Sequence, residues 1–479
     1  MNEKILENFL SLCAIPHKSH HEEQLSRFLY DWAVSKNLQA VRDDRGNVII
    51  DKPGTPGHEN APTTILQAHM DMVVVWEDGM TFDPLKDHVT VINDGKVLKA
   101  EGTSLGADDG AGVALAMTIL EDETAVHGPI RAIFTVDEED GMSGAAGLDK
   151  KFLDAKYLIN LDWEEYGSLC NSSAGSDMYR LHRKAEYEAA SGKAFEISVS
   201  GLVGGHSGAS IHLHLANAIR MAARTALAAA EVCEDVRLAS FAGGSAHNAI
   251  PSSCTAVITV PESDAEKVLQ VLNARALTEM VACAATDVNA KVTVKETALP
   301  EEALTRDLTH SYLSLITAVH DGVHTMSKAI PSLVESSANT GLASVDKEEV
   351  SFTVHQRSSE PSITEEMKAV YAAQAKDAGF EMTVLSSSPA WPLKPGSKLT
   401  ELCTRVFKEQ TGSEMHVEPV HAGLECGSFS SANPALDIIS IGPEIPDIHS
   451  TRETLVIDTV YGCDTLIRAM LKEIAEENA

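Results

Sequence analysis

With 479 residues, 44% of them hydrophobic and 23% charged, the chain has the make-up of a globular protein too long for one ordinary core, so two domains are expected. Its 70 acidic residues against 38 basic ones leave a formal net charge of −32, which repels phosphate backbones and anionic lipid and argues against nucleic-acid and membrane-surface binding. No apolar run is long enough to span a bilayer. The opening segment carries an early acid and an interrupted apolar set with helical spacing (Ile5, Phe9, Leu12), unlike a secretory signal. Eight scattered cysteines without paired spacing suit reduced thiols, and the expected location is the cytoplasm.

Strand and helix signals alternate through the first part. Residues 63–69 (TTILQAH) form a short apolar run ending in polar residues, and 113–120 (VALAMTIL) are helical. Residues 130–136 (IRAIFTV) and 156–162 (KYLINLD) have the composition of buried strands. This alternation implies a largely parallel sheet covered on both faces, with ligands beyond the carboxyl ends of its strands. Near residue 185 the pattern changes: 194–201 alternates like a half-exposed antiparallel strand, followed by helical 216–232, strand-like 253–260 and helical 264–285. A comparable alternation at 349–379 suggests a doubled unit, although the halves share no obvious repeat. Beyond about 385 come a helix (397–412), an apolar strand (435–442) and an amphipathic helix from Val456. The expectation is an α/β domain built from 1–185 and 386–479, interrupted by an α+β insert at 186–385.

Five clusters carry candidate chemistry. His69-x-Asp71 closes the first apolar strand, where residues two apart face one side. Asp108 and Asp109 lie in GADDGAG at a loop-to-helix junction, where capping by Asp108 and a tight glycine turn would be a sufficient explanation. Asp137-Glu138-Glu139-Asp140 follows IRAIFTV directly, and four acids there repel one another unless something cationic is present. Asp162 closes another apolar strand, and His449 stands in a distant loop. Singly each is an ordinary polar strand end or turn. Together they supply two imidazoles, three carboxylates and a spare glutamate without thiolates, a donor set that suits zinc, manganese or cobalt. Two such ions sharing one carboxylate would stand roughly 3.5–4 Å apart.

The motifs QAHMDMV, GADDGAG, VDEEDGMSGA, NLD, GLVGGHSGASIH, HNAIPS, HAGLECGSF and PDIHS, spread from residue 67 to 450, resemble in style and order those of the M20 family of metallopeptidases, and within it the aminoacyl-histidine dipeptidase branch. The resemblance implies a zinc-peptidase-like catalytic domain with a mixed, largely parallel sheet, interrupted by an α+β lid domain. It implies hydrolysis of dipeptides, Xaa-His dipeptides preferred, by a water activated between two Zn2+ ions, with Co2+ or Mn2+ as substitutes. By the same resemblance Asp108 bridges the ions, His69 and Asp162 complete one site, and Glu139 and His449 the other. Asp71 orients His69, Glu138 is the general base and acid, and His206 stabilises the oxyanion. Asn248, Arg357 and the Gly423–Gly427 segment hold the substrate, although a surface ion pair accounts for Arg357 about equally well. In shorter relatives the counterpart of His206 comes from a partner subunit. The long insert here implies that His206 acts within its own chain, with a homodimer left open.

Two positions depart from the pattern: Gly110 stands where many relatives carry Lys or Asn, and Asp140 where a small or apolar residue is usual. His17, His20 and His21 receive no role. Two rival readings remain, an aminoacylase or N-acyl-amino-acid deacetylase with the same chemistry, and a non-catalytic metal-binding protein.

Overall fold

The protein is described by a computed structural model covering residues 2–328 and 330–477. It separates into two compact units. The first comprises the residues up to Ser173, Trp391–Pro419, and the chain from Leu424 onward; the second comprises Ala174–Ala390 and Val420–Gly423.

The first unit is organised by a six-stranded sheet with Thr64–His69 near its middle. This strand pairs in parallel with Ile130–Thr135 on one side and Tyr157–Asn160 on the other. Asp437–Ser440 extends the parallel part, while Val48–Lys52 and Gln39–Arg42 add antiparallel strands at the opposite edge. All six residues of Thr64–His69 are buried, as a strand covered on both faces requires. The helix Ala107–Glu121 is apolar on every side and buried along almost its whole length. Helix Asn2–Cys13 packs against it with Ile5, Phe9 and Leu12 turned inward. Leu115 and Leu120 in the central helix are withdrawn from water, each worth roughly 1.5–3 kcal/mol against exposure. That packing fixes the height at which the helix, and Asp108 at its start, meets the strand ends.

The second unit has its own core and one nine-stranded sheet whose pairings are all antiparallel. The two strand–helix stretches expected to form a doubled unit share this one sheet, joined where Arg237–Gly243 pairs with Val334–Val345. Ala222, Ala223 and Ala226 let helix Ala218–Ala228 approach its neighbours closely. The unit begins at Ala174, ahead of the change in composition near 185. Strand Gly175–Lys184 is hydrogen-bonded between Glu349–Ser358 and Glu381–Ser388, which ties it to this sheet. The eight cysteines are buried, and among the described residues no helix is long and apolar enough to cross a membrane.

Candidate metal centre and substrate-binding groups

Three adjacent parallel strands end on one side of the sheet. Thr64–His69 ends on His69, Ile130–Thr135 leads into Glu138 and Glu139, and Tyr157–Asn160 leads into Asp162. The start of helix Ala107–Glu121 brings Asp108 to the same place, and the loop after Pro446 brings His449. His69 Nε2 stands 3.1 Å from Asp108 Oδ1 and 3.2 Å from Asp162 Oδ1. His449 Nε2 stands 3.1 Å from Asp108 Oδ2 and 2.9 Å from Glu139 Oε1. Asp108 therefore turns one oxygen to each imidazole, and all five residues expected as ligands are assembled around it. Ligand atoms of His69, Asp108 and Glu139 lie within 4.8 Å of one another, as do those of His69, Asp109 and Asp162, and of Asp108, Asp162 and Glu164.

Each donor is held from behind. His69 Nδ1 lies 2.9 Å from the Asp71 backbone carbonyl, which can only accept, so Nδ1 carries the proton and Nε2 keeps its lone pair. The Asp71 carboxylate lies farther from that ring, at 3.6 Å. It accepts instead from the backbone N–H groups of Glu138 (2.9 Å) and Glu139 (3.2 Å) and from Ser19 Oγ (2.9 Å). Capping of the central helix does not fall to Asp108. Glu453 accepts from the N–H groups of Leu105, Gly106 and Ala107 at 2.9, 3.3 and 2.7 Å, and Asp109 accepts from Gly112 N–H at 3.0 Å. The Asp108 carboxylate is thereby left to the imidazoles. Gly112 is required here, since a Cβ would lie 2.3 Å from Asp109 Oδ1 and 2.7 Å from Leu161 Cβ. At Gly110 a Cβ would meet the Phe9 ring at 3.2 Å, which gives that departure from the pattern a packing cause.

The electrostatics test whether a cation fits. Burial, reinforced by neighbouring carboxylates, pushes Asp109, Glu138 and Asp162 well above the usual carboxylate range. Asp108 is held low, because hydrogen bonds from His449 and His69 outweigh its desolvation. Hydrogen bonds to Asp108 and Glu139 raise His449 to about 10. So many shielded carboxyls facing two imidazoles cannot all ionise by themselves, and divalent cations would compensate them. The oxygen and imidazole donors contain no sulfur and fit such ions.

Two further acids escaped sequence reasoning. Glu425 is wholly buried and takes hydrogen bonds from Gln67 Nε2 and Thr135 Oγ1, both 2.7 Å; burial raises it to about 7. Glu453 looks like any surface acid until its backbone partners are seen.

His206, Asn248, Arg357 and Gly423 lie in the second unit. Arg357 is only 6% exposed, has no carboxylate partner among the described residues, and its Nε makes no hydrogen bond. The surface ion pair that would have explained it is absent there, and desolvation lowers its guanidinium to about 10. A Cβ at Gly208 would lie 3.2 Å from both Arg357 Nε and His206 Cε1, so glycine lets these two groups converge. His206 Nδ1 accepts from the N–H groups of Gly208 (3.3 Å) and Ala209 (3.1 Å), which puts the proton of the neutral ring on Nε2. Partial desolvation and the charge of Arg357 lower its pKa and favour that neutral form. The Asn248 side chain is exposed, while its carbonyl accepts from Ser207 N–H at 2.8 Å. Gly423 is part-buried in the short Val420–Gly423 return to this unit.

The chain is 35% identical over 468 residues to the cytosol non-specific dipeptidase of Escherichia coli strain K12, covering 97% of this chain and 96% of that one. Its structure is similar to that of an aminoacylhistidine dipeptidase from Vibrio alginolyticus, with a TM-score of 0.90, 30% identity, and 98% and 96% of the two chains covered. A tripeptidase from Staphylococcus aureus shares the fold at 16% identity and a TM-score of 0.56 over 99% of each chain. The profile of Peptidase family M20/M25/M40 matches residues 65–473, and the chain belongs to that family.

Proposed function

We propose that the protein is a dipeptidase of the cytoplasm that holds two zinc ions and prefers Xaa-His dipeptides. The observation that carries this reading is Asp108 turning one oxygen to each of two imidazoles, with Glu138 beside them. His69 and Asp162 would hold one ion, Glu139 and His449 the other, and Asp108 both; Co2+ or Mn2+ would substitute. Bound there, the ions would acidify water and polarise the scissile carbonyl.

The remaining chemistry belongs to side chains of this chain. Glu138 removes a proton from the attacking water and returns it to the departing amine. His206 donates from Nε2 to the developing oxyanion, a donor matched to charge that appears only in the transition state. Arg357 offers a two-pronged donor to the substrate's C-terminal carboxylate, and Asn248 and the Gly423–Gly427 segment would help hold the substrate. The names of the Escherichia coli and Vibrio alginolyticus relatives support the dipeptide class, and the second supports the Xaa-His preference. The cytosolic name of the first and eight cysteines scattered without paired spacing support the location.

The test is metal analysis of the purified protein beside hydrolysis of alanyl-histidine, other dipeptides and N-acetyl amino acids. Two metal equivalents per chain and metal-dependent cleavage of dipeptides are expected. Turnover confined to the N-acetyl compounds would transfer the site to the deacetylase reading, and metal binding without turnover to the non-catalytic one.

A further inference from the structure

Residues 17–22 run beside the loop that carries Glu138 and Glu139, and the two are stitched together at several points. Glu22 Oε1 accepts from the N–H groups of Asp137 (3.2 Å) and His20 (2.8 Å). Ser19 Oγ donates to Asp71 Oδ2 at 2.9 Å, and that carboxylate in turn accepts from the N–H groups of Glu138 and Glu139. Three successive backbone donors, at 137, 138 and 139, thus end on two buried carboxylates. On the outer side His20 lies 3.3 Å from Asp137 Oδ1 and 2.7 Å from Asp140 Oδ2. Asp140, the unusual fourth acid of the run, has its partner here. The base of the segment is anchored as well, because Met72 N–H donates to the His17 carbonyl at 3.2 Å.

The loop needs such fixing. Asp137 has φ +58, in the left-handed region that few non-glycine residues adopt, aspartate more readily than most. Its reversal aims the following N–H groups at Asp71 and sets the direction of the Glu138 and Glu139 side chains. Glu138 N–H takes Asp71 Oδ1 while Glu139 N–H and Ser19 Oγ share Oδ2, so the hydroxyl is one of three donors that hold the carboxylate in its orientation.

We infer that Ser19 and Glu22 are positioning residues for the hydrolytic reaction: they form a buckle that fixes the backbone of the Glu138–Glu139 loop from the N-terminal segment. The inference rests on Glu138 being the general base, as proposed above. Neither residue touches substrate or metal in this scheme. A small displacement of a base can cost on the order of 100-fold in rate, so a buckle of this kind acts mainly on kcat.

The experiment compares Ser19→Ala, Ser19→Thr, Glu22→Ala and Glu22→Gln with wild type as metal-loaded full-length enzyme. Steady-state kinetics on alanyl-histidine is paired with amide hydrogen exchange read by mass spectrometry. Both alanine variants are expected to lose tenfold or more in kcat with KM within about twofold, and to exchange faster at 137–139 while the rest of the unit is unchanged. Ser19→Thr and Glu22→Gln keep an oxygen in place and recover most of both properties. Unchanged exchange at 137–139 overturns the inference, whatever happens to kcat. So does faster exchange throughout the unit, or loss of fold in the alanine variants, which assigns the segment to general stability. Glu138→Gln in the same panel reports on the base itself; if it stays active, the base assignment fails, while the exchange data still judge the buckle.

Discussion

A carboxylate two residues beyond a metal-facing imidazole has two ways to serve it, through its side chain or through its backbone. Asp71 uses the backbone: its carbonyl fixes the His69 tautomer, and its carboxylate is spent on the loop of Glu138. Glu138 is consequently placed by its main chain. Glu138→Gln should retain both metal equivalents yet lose 100-fold to 10,000-fold or more in turnover, since general acid–base catalysis is typically worth about 10²–10⁴ and here also generates the nucleophile. Metal content falling in step with activity would make Glu138 a ligand. Arg357 makes a second residue-scale prediction, from its burial without a carboxylate partner among the described residues. The C-terminal amide of an Xaa-His dipeptide should be a poor substrate for wild type, and Arg357→Ala should weaken the acid far more than the amide. Equal losses on both would detach Arg357 from the carboxylate. The gathering of His69, Asp108, Glu139 and Asp162 was legible because apolar strands or a glycine-rich turn deliver them, whereas His449, in a distant loop, was joined to them through the resemblance. Ser19, Glu22 and Glu453 were not legible, because the Asp71 carboxylate that Ser19 meets and the backbone N–H groups of Asp137 and Leu105–Ala107 that the two glutamates meet lie far along the chain. Among 70 acids, a carboxylate with that role has no sequence signature.

At the scale of elements, the parallel strands of the first unit were the most readable, since full burial writes itself as a continuous apolar run. Gly175–Lys184 was hidden for the opposite reason. Its inward residues alternate with polar ones, and its last residues are charged and outside the core. This strand and its neighbour Glu349–Ser358 frame a part of the second unit rich in buried imidazoles. His355 and His421 are 7% and 8% exposed, and burial, together with the charge of Arg357, depresses each to about 3. His421 keeps a 2.7 Å hydrogen bond to Ser337 Oγ. In the unfolded chain both would titrate near about 6.5, so the unfolded state binds more protons between the two values. The stability they contribute is present above about pH 6.5 and is lost as pH falls towards 3. Unfolding midpoints measured from pH 7.5 to 4 should fall with acid, and His421→Gln should flatten that fall. An unchanged slope in the variant would show that His421 is not held neutral by its surroundings.

Across the whole molecule, each unit has a hydrophobic core of its own, and the chain matches its Escherichia coli relative over nearly the full length of both. Glu138, the proposed base, belongs to the first unit, and His206, the proposed oxyanion donor, to the second. If the second unit of each chain serves its own metal centre, a homodimer is incidental to chemistry; if it serves the partner's centre, the dimer is obligatory. The expectation here is service in cis, because the insert is long enough to supply what a partner would otherwise bring. Removing the donor by His206→Ala should lower kcat more than KM, since it acts mainly on the transition state. Two inactive chains then decide between the arrangements. Co-expressed Glu138→Gln and His206→Ala subunits, isolated as the mixed dimer through different tags, contain one intact base and one intact donor on separate chains. In trans, one of the two centres has both groups, and roughly half the wild-type activity per dimer returns, as expected of one working centre in two. In cis, every centre lacks one group and the mixed dimer stays as inactive as its parents. The inactive result is the one expected, and recovered turnover would overturn the cis arrangement and make association part of the mechanism.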